Sequence, residues 1–152
     1  GDRETGDYQN AGGGKISGVY PERDRTEYTL ITEAVSRDIP LWGICRGLQT
    51  INVYFGGTLT GQVRDHVGQD HELRSSHPLL NGAVCNSYHN DAVSEGDLSR
   101  ELRALALSAD GLVEALYHPA YALAAVQWHP ERQNRPYDRA LLREFLSGML
   151  AP

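Results

Sequence analysis

Cysteine is nearly absent from this chain, whose 152 residues hold two, Cys45 and Cys85. Two thiols cannot build a disulfide framework or a four-cysteine zinc cluster, and free thiols suit a reducing compartment, so a cytoplasmic location is expected. A single disulfide stays open on sequence alone. Long apolar runs are missing too. Gly, Arg, Gln or His interrupts every apolar stretch well before the roughly 20 residues that a membrane-spanning helix needs. Nor is there a basic stripe. The net charge is −6, with eight acids and five bases in residues 1–40 and twelve and nine in residues 41–152. Interspersed charge of this sign argues against nucleic acid and anionic membrane as partners.

What is present describes an ordinary folding unit. Hydrophobic residues make up 40% and charged residues 22%, far from the polar signature of disorder. A chain of this length can bury close to ~70% of its unfolded surface. With no internal repeat and no low-complexity linker, residues 1–152 read as one domain. The first 19 residues contain six glycines, including Gly12, Gly13 and Gly14, and read as loop. The sequence opens on Gly1 without an initiator Met, so a longer polypeptide is expected.

Beyond that loop the patterning alternates between helix and strand. Tyr28, Leu30, Ile31, Ala34 and Val35 recur at helical spacing, predicting an amphipathic helix over 24–38 that Pro40 stops. Leu41, Trp42, Gly43 and Ile44 form a short apolar run typical of a strand covered on both faces, ending at Cys45. Residues 47–55 then form a helix closed by Gly56 and Gly57. Residues 60–82 look irregular, and 83–88 read as a short strand. Asp110-Gly111 is a strong hairpin signal, and a second turn at His118, Pro119 and Ala120 completes a three-strand meander over 102–128. Residues 137–150 form a last helix, with Leu141, Leu142, Phe145, Leu146 and Leu150 on its apolar side.

The chemistry concentrates at Gly43-Ile44-Cys45-Arg46-Gly47. A Cys between two glycines at a strand-to-helix junction has the form of a nucleophile elbow, where a strained backbone projects the side chain above the sheet. Gly43 and Gly47 are expected to remove collisions that larger side chains would cause. A helix N-terminus stabilises a thiolate, so the pKa of Cys45 is expected to be lowered, with Arg46 adding positive charge. The N–H of Arg46 is a natural half of an oxyanion hole. The alternative is a structural thiol in a Gly-rich turn. Cys85, with neither glycines nor a helix start, reads as a small core residue.

A thiol nucleophile needs a base and a group to orient that base. His129 follows an apolar strand, and in extended chain, which Pro130 favours, its side chain lies on the same side as that of Glu131. Glu131 can then hold one imidazole nitrogen while the other faces Cys45. A strand-end His beside a solvated Glu is the alternative.

Taken together, Gly43-Ile44-Cys45-Arg46-Gly47-Leu48-Gln49, Gly56-Gly57-Thr58-Leu59 and Val126-Gln127-Trp128-His129-Pro130-Glu131 resemble the class I glutamine amidotransferases, and within them the γ-glutamyl hydrolase (peptidase C26-like) branch. The resemblance implies an α/β, flavodoxin-like, mostly parallel sheet flanked by helices. It also implies a Cys45, His129 and Glu131 triad that cleaves a γ-glutamyl amide through a glutamyl thioester, without a cofactor. Gln49, Ser87 and Tyr88 would line the glutamyl pocket, although Gln49 can equally cap its helix and Tyr88 can be core. The string Asn86-Ser87-Tyr88-His89-Asn90 is similar to members that remove a γ-glutamyl group from a nucleotide-linked phosphoramidate, the γ-glutamyl-CDP-amidate hydrolase type. Family members begin with strands and a helix before a Gly-Gly loop that donates the other oxyanion N–H, and this sequence opens about where that loop would be. Gly1 would be the remnant of that loop, and the sheet of this chain would lack its N-terminal strands.

Three other functions compete. His66, His71, His77 and His89 could ligate a metal, but their separations match no compact zinc motif, and no metal is expected. The chain could be a non-catalytic amidotransferase-like binding module. It could also be a glutaminase passing ammonia to a synthetase partner, and self-association is a further possibility.

Overall fold

A computed structural model describes residues 21–61, 70–87, 91–133 and 135–148. The elements follow in the order α1 (Pro21–Arg37), β1 (Leu41–Ile44), α2 (Arg46–Tyr54), β2 (His71–Glu72), β3 (Val84–Cys85), β4 (Arg103–Leu107), β5 (Val113–Tyr117), β6 (Leu123–Val126), α3 (Pro130–Gln133) and α4 (Pro136–Leu146). The four long strands form one mixed sheet in the order β1-β6-β5-β4, and β2 pairs with β3 apart from it. β1 and β6 run parallel, with Leu41 opposite Leu123 and Ile44 opposite Val126. β5 is antiparallel to both β6 and β4, the expected meander. Among the described residues β1 pairs on one side alone, and Leu30 and Ile44 stay exposed near that edge.

Strand alternation divides the core into two layers. Leu123 and Ala125 of β6 face a cluster with Ile31, Leu48 and Ile51, so α1 and α2 cover that side. Ala124 and Val126 face the opposite cluster with Trp128, Leu141, Phe145 and Cys85, covered by α4 and the β2–β3 segment. Each buried Leu or Ile contributes roughly 1.5–3 kcal/mol by leaving water. Because β1 and β6 run parallel, their C-terminal ends share one rim of the sheet, where β1 leads to α2 and β6 to α3.

Local chemistry sets the boundaries. The chain reverses after α1 at Asp38, which takes a left-handed φ of 54°. Gly111, at φ 82°, makes the β4–β5 turn that Asp110-Gly111 foretold. Gly57 must be glycine because a Cβ there would lie 2.2 Å from Oδ1 of Asn52. Asn52 in turn ties the end of α2 to the next loop, donating to the carbonyls of Thr58 and Asp97 and accepting from the Ser99 N–H. The stretch expected to be irregular contains the two-residue strand β2, whose partner β3 covers only Val84 and Cys85 among the described residues of 83–88.

Candidate active site

Cys45 lies between β1 and α2, capping the helix with φ 53° and ψ −104°, a region that costs a non-glycine residue of order 1–3 kcal/mol. Neighbouring backbone holds it there. Its N–H donates to the Val126 carbonyl at 2.8 Å, and its own carbonyl accepts from the Leu48 N–H at 3.0 Å. Gly43 has the expected steric reason: a Cβ would lie 2.9 Å from Cδ1 of Ile51, 3.0 Å from Cβ of Ala125 and 3.2 Å from the carbonyl carbon of Gly47. Gly47 departs from expectation, because among the described residues a Cβ there meets nothing within 4 Å. It lies in the first turn of α2.

The thiol also departs from expectation. Burial pushes the Cys45 thiol up from its ordinary value, and this outweighs the Arg46 N–H and the Gln127 side-chain amide, which both favour the thiolate. The charges acting on the sulfur are Glu131, which raises the pKa, and Arg132, which lowers it. Arg46 therefore acts through its backbone, and the cation credited to its side chain comes from Arg132. Cys45 rests as a thiol, and to act as a nucleophile it would need a base.

His129 stands two residues beyond Gln127, which adjoins Cys45 across the β1–β6 register. Its Nδ1 lies 2.7 Å from Oε1 of Glu131, so Nδ1 carries the proton when the ring is neutral and Nε2 is the nitrogen with the lone pair. The extended geometry expected for this pair is replaced by a helical turn. Pro130 opens α3, its fixed φ suiting a first helical position, and the Arg132 N–H donates to the His129 carbonyl at 3.0 Å. Asn86 clamps the His129 backbone from both sides, accepting its N–H and donating to its carbonyl at 2.9 Å each. Gln133 accepts the Asn86 N–H at 2.9 Å and donates to Asp138, which also receives the Trp128 indole N–H. Sequence reasoning assigned no role to Asn86, Gln127 or Gln133. The quoted strings containing Asn86 and Gln127 were the available signals for those two, while Gln133 depends on contacts across the fold.

Gln49 is buried and donates to the Asp91 carbonyl at 2.9 Å and to Oε1 of Gln127 at 3.3 Å. Its amide nitrogen is thus occupied within the protein. Ser87 is buried, and its hydroxyl finds no hydrogen-bond partner among the described residues. Tyr88 and Gly1 lie outside the described residues, as do His66 and His89. His71 sits on β2, and His77 pairs with Glu144 at 2.6 Å while accepting the Leu79 N–H. Among the described residues no three His, Cys, Asp or Glu side chains gather to hold a metal. Cys85 is free and fully buried in the second core layer, as expected. No described helix is long and apolar enough to cross a membrane.

Comparison with known proteins bears on the fold and the family. The chain is 32% identical to the γ-glutamyl-CDP-amidate hydrolase of Campylobacter jejuni, the match covering 90% of this chain and 68% of that protein. It is 33% identical to the γ-glutamyl-γ-aminobutyrate hydrolase of Escherichia coli K12, covering 86% of this chain and 60% of that protein. The chain therefore spans roughly three fifths to two thirds of these relatives. A glutamine amidotransferase structure from Thermotoga maritima superposes with a TM-score of 0.65 over 92% of this chain and 76% of that one, at 16% identity, which shows a shared α/β fold. Residues 6–131, a span holding Cys45, His129 and Glu131, match the family model described as peptidase C26. The chain belongs to the peptidase C26 family.

Proposed function

We propose that this chain hydrolyses a γ-glutamyl amide through a thioester on Cys45. The observation that carries the reading is the 2.7 Å pair of His129 Nδ1 and Glu131 at the end of β6, beside the strained turn that presents Cys45 at the end of β1. Nε2 of His129 takes the proton from Sγ as sulfur attacks the γ-carbonyl carbon, and Glu131 stabilises the imidazolium that results. The Arg46 N–H at the start of α2 is the oxyanion donor we assign on this chain. Collapse of the tetrahedral adduct breaks the C–N bond, His129 returns the proton to the leaving nitrogen, and the γ-glutamyl thioester remains. Water then attacks that carbonyl with His129 as base, releasing glutamate and restoring the thiol. The buried Ser87 hydroxyl and the carbonyl end of Gln49 supply polar groups for the glutamyl moiety.

The named relatives act on γ-glutamyl groups joined to a cytidine diphosphate amidate or to γ-aminobutyrate, and both amides are the first substrates to try. Intact mass after incubation with an electrophilic glutamine analogue is expected to show one adduct, on Cys45 and absent from Cys45→Ala. Glutamate release from at least one of the two amides should follow. Ammonia release from free glutamine, with neither amide cleaved, would replace this reading by a glutaminase. No adduct and no release would leave a binding module.

A further inference from the structure

Gln127 ends the apolar run of β6, is fully buried, and is drawn into the site by the parallel register rather than by any motif chemistry. Its Nε2 lies 3.5 Å from Sγ of Cys45, within reach of an N–H···S hydrogen bond. The two ends of a carboxamide are nearly equal in size, so its neighbours decide which end faces the sulfur. Here the decision is anchored at a group that cannot turn. The backbone carbonyl of Asp91 only accepts, so the end of Gln49 that meets it at 2.9 Å must be the amide nitrogen. The remaining N–H of that nitrogen meets Gln127 at 3.3 Å, and only Oε1 can receive it. Nε2 of Gln127 is then left facing Cys45. Turning either amide would set two acceptors, or two donors, against each other in a buried place, which costs roughly 1–3 kcal/mol per unmet group.

We infer that Gln127 is a positioning residue for the Cys45 thiolate, its amide held in the donor orientation by a relay through Gln49 to the Asp91 carbonyl. The inference rests on the reading of Cys45 as nucleophile. Among the described residues, the other groups acting on the sulfur are the Arg46 N–H from α2 and the charges of Glu131 and Arg132 from α3. When the thiol gives its proton to His129, two fixed donors, the Arg46 N–H and the Gln127 amide, receive the negative sulfur. Gln49 thereby acquires a second role, orienting a neighbour without touching the reacting atoms.

The test is the pH dependence of Cys45 alkylation by iodoacetamide in the parent chain, Gln127→Met and Gln49→Met, with folding checked by circular dichroism. Cys85 is fully buried and stays silent as long as the fold is native. Gln127→Met keeps the length of the side chain and removes the donor. Its alkylation profile is expected to move to higher pH, with about tenfold slower labelling near neutrality, the usual scale for losing a hydrogen bond to a charged group. Gln49→Met leaves Gln127 in place but frees its amide to turn, and labelling should fall in the same direction by a few-fold. A merely structural role would lower stability without moving either profile. Profiles unchanged within twofold in the folded variants would overturn the inference, and if Gln127→Met does not fold, Gln49→Met decides alone. Labelling of the parent chain by the electrophilic glutamine analogue is scored separately. Its failure would refute the hydrolase reading while the alkylation profiles still decide whether Gln127 donates to the sulfur.

Discussion

Glu114, in the middle of β5, offers a quantitative check on the packing behind the site, because its carbonyl accepts the Gln127 N–H at 2.7 Å while its side chain is fully buried. Burial, with Asp110 as a second cause, pushes the Glu114 carboxyl up to about 8 from 4.5. The sign follows from proton counting. Between these two values the unfolded chain has lost a proton that the native protein keeps, so stability from this residue is fully present below pH 4.5 and is lost as pH rises towards 8. At about 1.4 kcal/mol per unit difference, the native state is penalised by about 1 kcal/mol at pH 5 and about 3 kcal/mol at pH 7. Glu114→Gln removes the titration and leaves the shape. Urea unfolding of both proteins at pH 5, 6, 7 and 8 should show the variant gaining on the parent by about 2 kcal/mol between pH 5 and pH 7. Taking the difference cancels every titrating group that does not interact with Glu114. A difference that stays flat within about 0.5 kcal/mol would refute the argument, since it would mean the carboxyl is solvated or paired well enough to ionise in the native state.

Other substitutions probe the elbow and the histidine. Gly43→Ala forces a Cβ into Ile51, Ala125 and the Gly47 backbone and should lower stability by about 1–3 kcal/mol, whereas Gly47→Ala should change it by less than about 1 kcal/mol; thermal melts of both decide the point, and equal losses would contradict the packing described. Asn86→Ala removes both hydrogen bonds to the His129 backbone and is expected to reduce kcat by up to about a hundredfold with KM little changed. Asn86→Asp, which keeps the acceptor and loses the donor, should fall between, as steady-state assays with a cleaved γ-glutamyl amide will show.

Much of this protein was legible in short windows of its sequence. An apolar run ending at a Cys between glycines, an amphipathic stretch after it, an Asp-Gly turn and a His two residues before a Glu are local patterns, and local backbone preferences act over that same range. They place β1, α2, the β4–β6 meander and the His129–Glu131 pair. The helix at Pro130 was missed because a proline after a strand suits an extended chain and a first helical turn equally well, and only the packing beyond it selects one. The neighbours of Cys45 were hidden for a different reason. Gln127 lies 82 residues away, and the Asn86 clamp spans 43, so both depend on the parallel register of β1 with β6 and on the course of the chain after β3. The state of the thiol is more collective still. A helix N-terminus beside Cys45 argues for a lowered pKa, yet burial by segments from across the chain wins. Which residues are candidates for the chemistry was therefore written locally, whereas the protonation of Cys45 and the groups that hold it belong to the tertiary structure, because desolvation sums over atoms that only folding brings together.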